Sequence, residues 1–395
     1  MFDKKTIKDV DVRGKRVLVR VDFNVPLSEG TVTDDTRVHA ALPTLRYLVD
    51  HGARVIVMSH LGRPKGAPDP QYSLRPVRRV LQRLLGRNVV FVDDIVGPEA
   101  HDAVGRMVDG EIIMLENVRF EPGEKTDDPE FAKALASLAD IYVNDAFGAA
   151  HRAHASTEGV AHFLPAYAGL LLAREVETLT AMLTEPERPF VAILGGSKVS
   201  DKFGVIDRLL DCVDTLIIGG GMCFTLLVAK GVSVGDSIVE AEWVEPAKAM
   251  LTKAAEKGVE LILPVDFVIA DAIEADADTR IVAREEIPAG QMGLDIGPTT
   301  VELFKGAIST ARTIFWNGPM GVFEMAPFEN GTKQIAIAVS RNNRAASIVG
   351  GGDSVAALKK FDVEDRITFV STGGGASMRL LEGAELPGLA ALQDA

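Results

Sequence analysis

The chain of 395 residues lacks several features that mark other protein classes. It has only two cysteines, Cys212 and Cys223, so a disulfide framework and a cysteine-rich metal site are excluded. No uninterrupted apolar run approaches the ~18 residues of a membrane span, and the first residues lack the apolar core of a signal peptide. We therefore expect a cytoplasmic protein of enzyme size with no membrane partner.

An excess of positive charge is also missing. Lysine and arginine number 42 against 56 aspartates and glutamates, a net charge of −14 that suits neither nucleic acid nor an anionic membrane. The charge is uneven, because residues 1–170 have 22 basic against 24 acidic residues and residues 171–395 have 20 against 32. All seven histidines lie in the first part. This indicates two sites with different tasks, unless surface charge has merely drifted.

Two common nucleotide-binding motifs are absent. Without G-x-x-x-x-G-K-[ST], the chain is not an ordinary P-loop NTPase. Without a G-x-G-x-x-G after a predicted strand, an NAD-dependent dehydrogenase is disfavoured. A nucleotide would have to be bound by other loops.

Apolar, β-rich runs alternate with helical patterns along the whole chain. The runs are residues 16–21, 54–58, 89–92, 111–115, 190–194, 215–218, 261–264, 313–316, 346–349 and 367–370. Strands separated by helices predict parallel, doubly wound sheets. The predicted fold class is α/β, with two doubly wound parallel-sheet (Rossmann-like) domains.

A helix is predicted between the two halves. Its apolar residues share one helical face: Leu172, Val176, Leu179 and Leu183. Pro165 precedes this helix and Pro186 breaks it. We expect domains over residues 1–170 and 171–395, with 171–189 as a connector helix that acts as a hinge.

In the second half, predicted strands run directly into glycine-rich loops. The loops are residues 195–198, 219–221, 317–319, 350–354 and 373–375. Ligands bind at the carboxyl ends of parallel strands, and glycine lets backbone N–H groups approach a phosphate closely. The loops indicate a nucleotide-scale phosphate site. The alternative is that glycine serves tight turns and close packing.

Three charged residues stand beside these loops. Asp353 follows three glycines and is suited to hold Mg²⁺ on a nucleotide phosphate, although Asp is also a common helix N-cap. Lys198 and Lys202 are four residues apart, so both would lie on one face if a helix begins there. The alternative is a solvated pair. A metal or local lysines must offset the acidity of this half if it binds phosphate.

Arginines of the first half recur at predicted strand ends and in loops. They are Arg20, Arg37, Arg63, Arg119 and Arg152. The planar guanidinium suits bidentate recognition of carboxylate or phosphate, and several together would bind a small, multiply anionic metabolite. Any single one of these arginines is more commonly a surface residue.

The histidines of the first half allow other roles. His60 fits either proton transfer or simple packing. His151 and His154 could bind zinc as a pair, but no third ligand is evident, so anion binding is the preferred function of this half.

With these segments in hand, the chain resembles the phosphoglycerate kinase family over its full length. The motifs that carry the resemblance are residues 20–26 (RVDFNVP), 59–64 (SHLGRP), 115–120 (LENVRF), 144–156 (NDAFGAAHRAHAS), 195–202 (GGSKVSDK), 219–225 (GGGMCFT), 295–298 (DIGP), 316–323 (WNGPMGVF), 350–354 (GGGDS) and 371–377 (STGGGAS). Their order, spacing and spread over both halves argue against coincidence. The length resembles the shorter, bacterial-type form.

The resemblance implies reversible, Mg²⁺-dependent transfer of the acyl phosphate of 1,3-bisphosphoglycerate to ADP, giving 3-phosphoglycerate and ATP. By motif position, the implied triose contacts on the N-terminal domain are Asp22, Phe23, Asn24, Arg37, His60, Leu61, Gly62, Arg63, Arg119 and Arg152. The implied nucleotide contacts on the C-terminal domain are Lys202, Gly293, Glu324, Gly351, Gly352, Asp353 and Ser354. Asp353 would be the metal ligand and Glu324 would serve the ribose hydroxyls. Ser354 stands where the family often has threonine, and we expect no loss because the hydroxyl survives.

Phosphoryl transfer between a carboxylate and a nucleoside diphosphate needs no general base, because neither acceptor oxygen must lose a proton at neutral pH. Catalysis then depends on alignment and on neutralising charge on the transferred group. The candidate catalytic groups are Arg37, Lys198 and the N–H groups of Gly373 and Gly374. Two substrates on two domains also require a closing motion that excludes water. The resemblance implies that the last ~15 residues pack back on the first domain and aid this motion.

Two other functions stay open from the residues alone. Another ATP-dependent kinase would phosphorylate acetate or a similar acid and not 3-phosphoglycerate. A non-catalytic two-domain binding protein would use the glycine loops only for packing, but it would have no use for a metal site facing a second domain. We expect a monomer, since nothing marks a large apolar assembly surface.

Overall fold

The computed structural model describes residues 2–395, which form two compact units. The first unit extends to Leu179 and also includes Ala384–Ala395, and the second is Thr180–Gly383. Each unit has its own sheet and its own apolar core.

The first unit is built on a parallel sheet whose strands are almost entirely buried. In chain order the strands of the first unit are β1 (Arg16–Arg20), β2 (Leu27–Ser28), β3 (Thr31–Val32), β4 (Arg54–Met58), β5 (Val90–Phe91), β6 (Ile112–Met114), β7 (Ile141–Asn144) and β8 (Ala166–Ala168). Six of them pair in parallel in the order β5-β6-β4-β1-β7-β8, and β2 with β3 forms a separate antiparallel hairpin. The runs of Val and Ile in β1 and β4 are those expected of strands covered on both faces.

The helices of this unit follow its strands. They are α1 (Thr36–Asp50), α2 (Arg75–Leu85), α3 (Pro98–Gly105), α4 (Pro129–Ala136) and α5 (Leu170–Thr184). The Asp128 side chain accepts the first N–H groups of α4, and Gly86 ends α2 in the left-handed conformation. The boundary between the units falls after Leu179, so α5 begins in the first unit and ends in the second.

The second unit contains a second six-stranded parallel sheet. Its strands are β9 (Phe190–Leu194), β10 (Thr215–Ile218), β11 (Glu260–Ile262), β12 (Asp266–Ala270), β13 (Arg280–Ala283), β14 (Met292–Ile296), β15 (Thr313–Asn317), β16 (Ala346–Gly350) and β17 (Phe369–Val370). The parallel sheet has the order β11-β10-β9-β15-β16-β17, and β13-β12-β14 form a small antiparallel sheet.

Helices of the second unit cover this sheet around a core that includes Trp316 and Phe304. They are α6 (Phe203–Leu209), α7 (Met222–Ala229), α8 (Val244–Lys257), α9 (Pro298–Thr310), α10 (Asn330–Arg341), α11 (Gly352–Lys360) and α12 (Gly375–Leu381). The last helix, α13 (Pro387–Ala390), belongs to the first unit. There, the Asn144 side chain donates to the Gly388 carbonyl at 2.9 Å.

The predicted fold class, two parallel-sheet α/β domains, is confirmed. The prediction missed β7 and β8, which are short and include polar or small residues, and it missed the antiparallel strands β12–β14. Among residues 2–395, no helix is both long enough and apolar enough to span a membrane.

Candidate functional sites

Both parallel sheets bring most of the predicted site residues to the carboxyl ends of their strands; the exceptions are Arg37 in α1 and Gly293 in the antiparallel strand β14. The strand order reverses between β1 and β7 in the first sheet and between β9 and β15 in the second. The crevice outside such a switch point is where ligands bind in open α/β sheets. The loops after β1, β4, β6 and β7 carry the predicted triose contacts other than Arg37, which lies in the first turn of α1, and the glycine loops follow β9, β10, β15, β16 and β17.

Arg20, the last residue of β1, is fully buried and orients His60. Its Nε donates to Ser156 Oγ at 2.7 Å, and its Nη2 is 3.1 Å from His60 Nδ1. Arginine has no acceptor, so Nδ1 of His60 must accept and the imidazole proton lies on Nε2. The buried Glu124 carboxylate lies 3.9 Å from the Arg20 guanidinium and accepts from both the N–H and the hydroxyl of Ser156.

Positive groups crowd one another in this site. Burial holds the pKa of His60 well below its ordinary value, and the charges of Arg20 and Arg119 lower it further. Burial also lowers the pKa of Arg119 to about 10, assisted by repulsion from Arg20 and Arg152. His60 is therefore neutral at neutral pH. A bound anion would relieve the repulsion among the guanidinium groups, so the site is suited to a multiply anionic ligand.

A chain of hydrogen bonds joins several predicted triose contacts. Arg37 Nη1 donates to Asp22 Oδ2 at 2.7 Å, and Asp22 Oδ1 accepts the Asn24 N–H at 3.1 Å. Asn24 Oδ1 accepts the Gly62 N–H at 2.8 Å, and the Gly62 carbonyl accepts from Arg119 Nη1 at 2.6 Å. Among residues 2–395 the buried Arg119 Nε finds no hydrogen-bond partner, so it remains available as a donor. These five residues therefore form one connected surface.

The other predicted triose contacts are placed differently. The side chains of Phe23 and Leu61 are buried in the apolar core, so these residues would reach a ligand only through their backbone. The Phe23 N–H already donates to Ser59 Oγ at 2.9 Å. Arg63 and Arg152 are exposed beside the cluster.

The zinc alternative for His151 and His154 finds no support. Within residues 2–395 no group of three histidine, cysteine or carboxylate side chains is arranged to hold a metal ion. His154 Nδ1 lies 3.7 Å from Glu124 Oε1, and burial lowers the pKa of His154 to about 4. His154 therefore lies beside Glu124 and close enough to Arg20 and Arg119 for their charges to lower its pKa further.

In the second unit, the glycine loops divide into two groups. Gly195 and Gly219 serve close packing, since a Cβ on Gly195 would lie 2.0 Å from the Pro319 carbonyl and one on Gly219 would lie 2.5 Å from Met320 Sδ. A Cβ on Gly352 or Gly374, by contrast, would meet nothing within 4 Å. The packing alternative is thus correct for some loops, while those at the starts of α11 and α12 are open to a ligand.

Lys202 ties two of these loops together. Its Nζ donates to the Asn317 carbonyl at 2.7 Å and to Asn317 Oδ1 at 2.5 Å. Burial lowers the pKa of Lys202 to about 8, against the opposing charges of Asp353 and Asp201. The buried Ser354 hydroxyl accepts the Gly318 N–H at 2.6 Å. The hydroxyl of Ser354 therefore has a structural partner of its own.

The idea that Lys198 and Lys202 share a helical face is wrong. Lys198 is exposed in the loop that precedes the short 3-10 helix Ser200–Lys202, and α6 begins only at Phe203. The Lys202 side chain points inward and donates to Asn317, whereas the Lys198 side chain is exposed to solvent. The two lysines are thus suited to different tasks.

The Asp353 carboxylate is exposed at the start of α11. The N-cap of α11 is Gly351 and no side chain caps it, so the N-cap alternative for Asp353 is wrong. Mg²⁺ is commonly held by one or two carboxylates together with substrate phosphates. A single exposed carboxylate next to Gly352, which has open space beside it, fits that requirement.

Gly293 and Glu324 line a largely apolar cavity of about 310 Å³. The rings of Phe224 and Phe267 pack with centroids 4.8 Å apart, and Phe224 leaves no room for a Cβ on Gly293. The exposed Glu324 and Asp353 side chains also belong to the lining. The cavity has the size and polarity for a purine ring, with carboxylates available to sugar and metal.

The predicted catalytic N–H groups lie just before α12. Gly374 is the N-cap residue, with φ of 51°, and α12 begins at Gly375. The Gly373 N–H donates to Ser371 Oγ at 3.2 Å, so this group would have to exchange partners to contact a ligand.

Comparison with known proteins decides the family. The family model described as phosphoglycerate kinase matches residues 7–384. The chain belongs to the phosphoglycerate kinase family. It is 57% identical to the phosphoglycerate kinase of Chloroflexus aggregans over 399 residues, with both chains fully covered, and 58% identical to that of Moorella thermoacetica over 391 residues, 99% of each.

Solved structures of the family agree. The fold is similar to that of the phosphoglycerate kinase from Coxiella burnetii, with a TM-score of 0.88, 43% identity and 98% of each chain covered. It is also similar to the phosphoglycerate kinase from Pyrococcus horikoshii, with a TM-score of 0.85, 32% identity and 98% of each chain covered. The resemblance noted in the sequence is confirmed, and the chain is a kinase of glycolysis, a phosphotransferase with a carboxyl acceptor.

The sequence prediction left out four residues that the structure places in these sites. Arg20 and Asn317 were noted only within an arginine set and a glycine loop, and Asn117 only within the LENVRF motif. Glu124 carried no signal, because an isolated acid in a loop looks like any surface carboxylate. Its burial beside Arg20 emerges only in the folded chain.

Proposed function

We propose that this chain catalyses reversible, Mg²⁺-dependent phosphoryl transfer from 1,3-bisphosphoglycerate to ADP, giving 3-phosphoglycerate and ATP. The observation that carries the proposal is the convergence of Arg20, Arg37 and Arg119 on the neutral His60. Family membership supports the same reaction. The first unit would be the triose-binding domain and the second the nucleotide-binding domain.

On the triose side, the ligand carries both a carboxylate and a phosphate. Arg37 and Arg119 keep N–H groups beyond those they donate to Asp22 and Gly62, so each can bind an anionic oxygen. His60 would donate from Nε2. Acetate, the substrate of the alternative kinase, carries one charge and would leave most of this site unpaired.

On the nucleotide side, Lys202 and the open N–H groups of Gly351, Gly352 and Ser354 would bind phosphates, with the base beside Gly293 and the ribose beside Glu324. Asp353 would hold Mg²⁺, which when bound shares the phosphate charge and fixes the nucleotide orientation. The pKa of Lys202, about 8, keeps it mostly protonated at neutral pH.

No residue has to accept a proton in this reaction. Lys198 and Arg37 would neutralise charge that grows on the transferred group, together with the N–H groups of Gly373 and Gly374. Lys198 is suited to this role because it is exposed and is not tied to Asn317 as Lys202 is. Binding and charge neutralisation would thus be assigned to different lysines.

Transfer also requires the two ligands to meet, because their sites are on separate units. We propose closure through α5, which contains the boundary between the units. Small-angle scattering would then report a smaller radius of gyration only when both substrates are present. An unchanged radius with both substrates would contradict closure.

The proposal includes a monomer in the cytoplasm, in keeping with a glycolytic family. Sedimentation of the purified chain at several concentrations would reveal a dimer, and fractionation of cells would reveal another location.

The decisive experiment measures ATP consumption with 3-phosphoglycerate and Mg²⁺, with the acyl phosphate drawn off by a coupled reductive step. We expect rapid turnover that disappears without 3-phosphoglycerate and is not restored by acetate. Turnover with acetate would favour the other carboxylate kinase. No turnover from a folded chain would contradict the proposed reaction.

A further inference from the structure

Asn117 lies at the centre of a hydrogen-bond network beneath the triose site. Its side chain is fully buried, and all its hydrogen-bonding groups have partners. Oδ1 accepts the N–H groups of Leu61, at 3.2 Å, and Arg119, at 3.0 Å. Nδ2 donates to the carbonyls of Leu61, at 2.8 Å, and Tyr72, at 2.9 Å. One amide thus connects three separate segments.

Two of these segments carry predicted ligand contacts. The loop after β4 contains His60, Leu61 and Gly62, and the short 3-10 helix Val118–Phe120 contains Arg119. Asn117 is the N-cap of that helix and also binds both backbone groups of Leu61. It therefore sets the spacing between the loop and the arginine.

The third segment locks the loop from its other side. Gly62 has a φ of 61°, and a Cβ there would lie 2.3 Å from the ring of Tyr72. Tyr72 therefore packs against the Gly62 backbone, and Asn117 Nδ2 holds the Tyr72 carbonyl in place. The Gly62 carbonyl in turn accepts from Arg119. All three segments that Asn117 contacts therefore help to fix the position of the Arg119 guanidinium.

Nothing in the network gives Asn117 contact with a ligand, since its polar atoms are used internally and it has no exposed surface. We propose that Asn117 is a positioning residue, which holds Arg119 and the loop of His60 at the spacing that the anionic triose requires. The proposal rests on the proposed function for the identity of that ligand.

The test uses Asn117→Ser in the full chain. Serine is as good an N-cap as asparagine, so the local bond to the Arg119 N–H is retained, while the shorter side chain loses Leu61 and Tyr72. We expect the KM for 3-phosphoglycerate and its dissociation constant by calorimetry to rise at least tenfold. The KM for the nucleotide should stay within twofold, because its site is in the other unit.

A matched control separates positioning from general stability. Asn342→Ser removes a similar amide that donates to the carbonyls of Ile308 and Ala311, at the amino end of β15 in the second unit. It should lower the denaturation midpoint without changing the dissociation constant of 3-phosphoglycerate. If Asn117→Ser does not fold, Asn117→Thr keeps a hydroxyl that caps the helix and is likewise too short to reach Leu61 and Tyr72.

The outcomes are distinct. A folded Asn117→Ser or Asn117→Thr chain that binds 3-phosphoglycerate as wild type does would overturn the proposal. An equal loss of affinity for both ligands would also overturn it, since the effect would then be general. Wild-type protein that does not bind 3-phosphoglycerate would instead count against the proposed function.

Discussion

The two candidate sites are built from different kinds of chemical group. In the proposed assignment, the first unit binds its ligand with charged side chains, and several charged groups there are buried and fixed by hydrogen bonds, as Arg20 and Arg119 are. In the same assignment, the second uses backbone N–H groups of glycine loops together with Lys202, which is tied to Asn317, and it exposes Lys198 and Asp353. A small anion offers little beyond charge and shape, so its site must be pre-arranged. A nucleotide offers a large apolar ring, for which the cavity beside Gly293 is the proposed binding place.

Bringing positively charged groups close together lowers the stability of the first unit. Guanidinium groups close enough to lower one another's pKa destabilise the folded state when no anion is bound. Glu124 offsets part of the repulsion. We therefore expect 3-phosphoglycerate to stabilise the chain mainly through the first unit.

The largest expected effect concerns a residue assigned to neither binding site. Lys198→Ala should lower kcat by about 10² to 10³, the usual loss for one group that stabilises transition-state charge. The KM values for both substrates should change little, because Lys198 makes no fixed contact. Steady-state kinetics against Lys248→Ala, an exposed lysine of α8 paired only with Glu245, would check this. Near-normal turnover would remove Lys198 from the catalytic role.

A second change should affect only the first site. Arg119→Lys keeps a positive charge but loses the fork that binds both Gly62 and an anion, so the KM for 3-phosphoglycerate should rise about 10- to 100-fold. The nucleotide KM should not change. Arg106→Lys, at an exposed position paired with Asp102, is the control. A parallel rise in both KM values would show that the sites are not independent.

The two sites should also differ in their dependence on pH. The pKa of Lys202 is lowered to about 8 from an ordinary value of 10.5. Its charge is therefore lost in the folded chain between pH 7 and 9, and the nucleotide KM should rise by up to about tenfold as the phosphate loses its partner. The triose KM should stay flat over this window, because His60 is already neutral and the pKa of Arg119 is about 10.

Loss of the Lys202 proton at high pH should weaken nucleotide binding, but it accompanies an increase in the stability of the folded chain. Between pH 8 and 10.5 the unfolded chain holds the Lys202 proton that the folded chain has released, so this group alone makes the free energy of unfolding rise with pH. Lys202→Met removes the titration, and its nucleotide KM should be raised but independent of pH. A KM that still rises in this variant would assign the pH effect to another group.

The smallest effect is expected at Ser354. Its hydroxyl accepts the Gly318 N–H, and threonine supplies the same acceptor, so Ser354→Thr should leave the nucleotide KM within about threefold. Ser354→Ala leaves that N–H unpaired in a buried place and should cost about 1–3 kcal/mol of stability. Kinetics and urea denaturation of both variants would check the contrast. Equal behaviour of the two would mean that the hydroxyl is not used.

The sequence predicted the parts of the molecule that depend on local pattern. Parallel strands and glycine loops are visible as residue types and spacing, whereas Arg37, noted as a residue of a strand end or loop, lies in the first turn of α1. The sequence did not show which polar side chains are buried. Glu124 and Asn117 have ordinary neighbours in the chain, and their importance arises from partners such as Arg20 and Leu61 that are distant in sequence.

The same reason explains the wrong prediction for the two lysines. Spacing of four residues fits a shared helical face, but it could not reveal that the Asn317 carbonyl, 115 residues further along, draws Lys202 inward. The antiparallel strands β12–β14 were missed because they lie outside the alternation of strand and helix that defined the rest.

The central claim, that each ligand has its own independent site, is tested most directly by hydrogen exchange with each ligand alone. We predict that 3-phosphoglycerate slows exchange in residues 59–64 and 117–124 and leaves residues 195–202 and 350–354 unchanged. ADP with Mg²⁺ should do the reverse. Protection of the glycine loops by 3-phosphoglycerate alone, or of the arginine loops by ADP alone, would contradict the account.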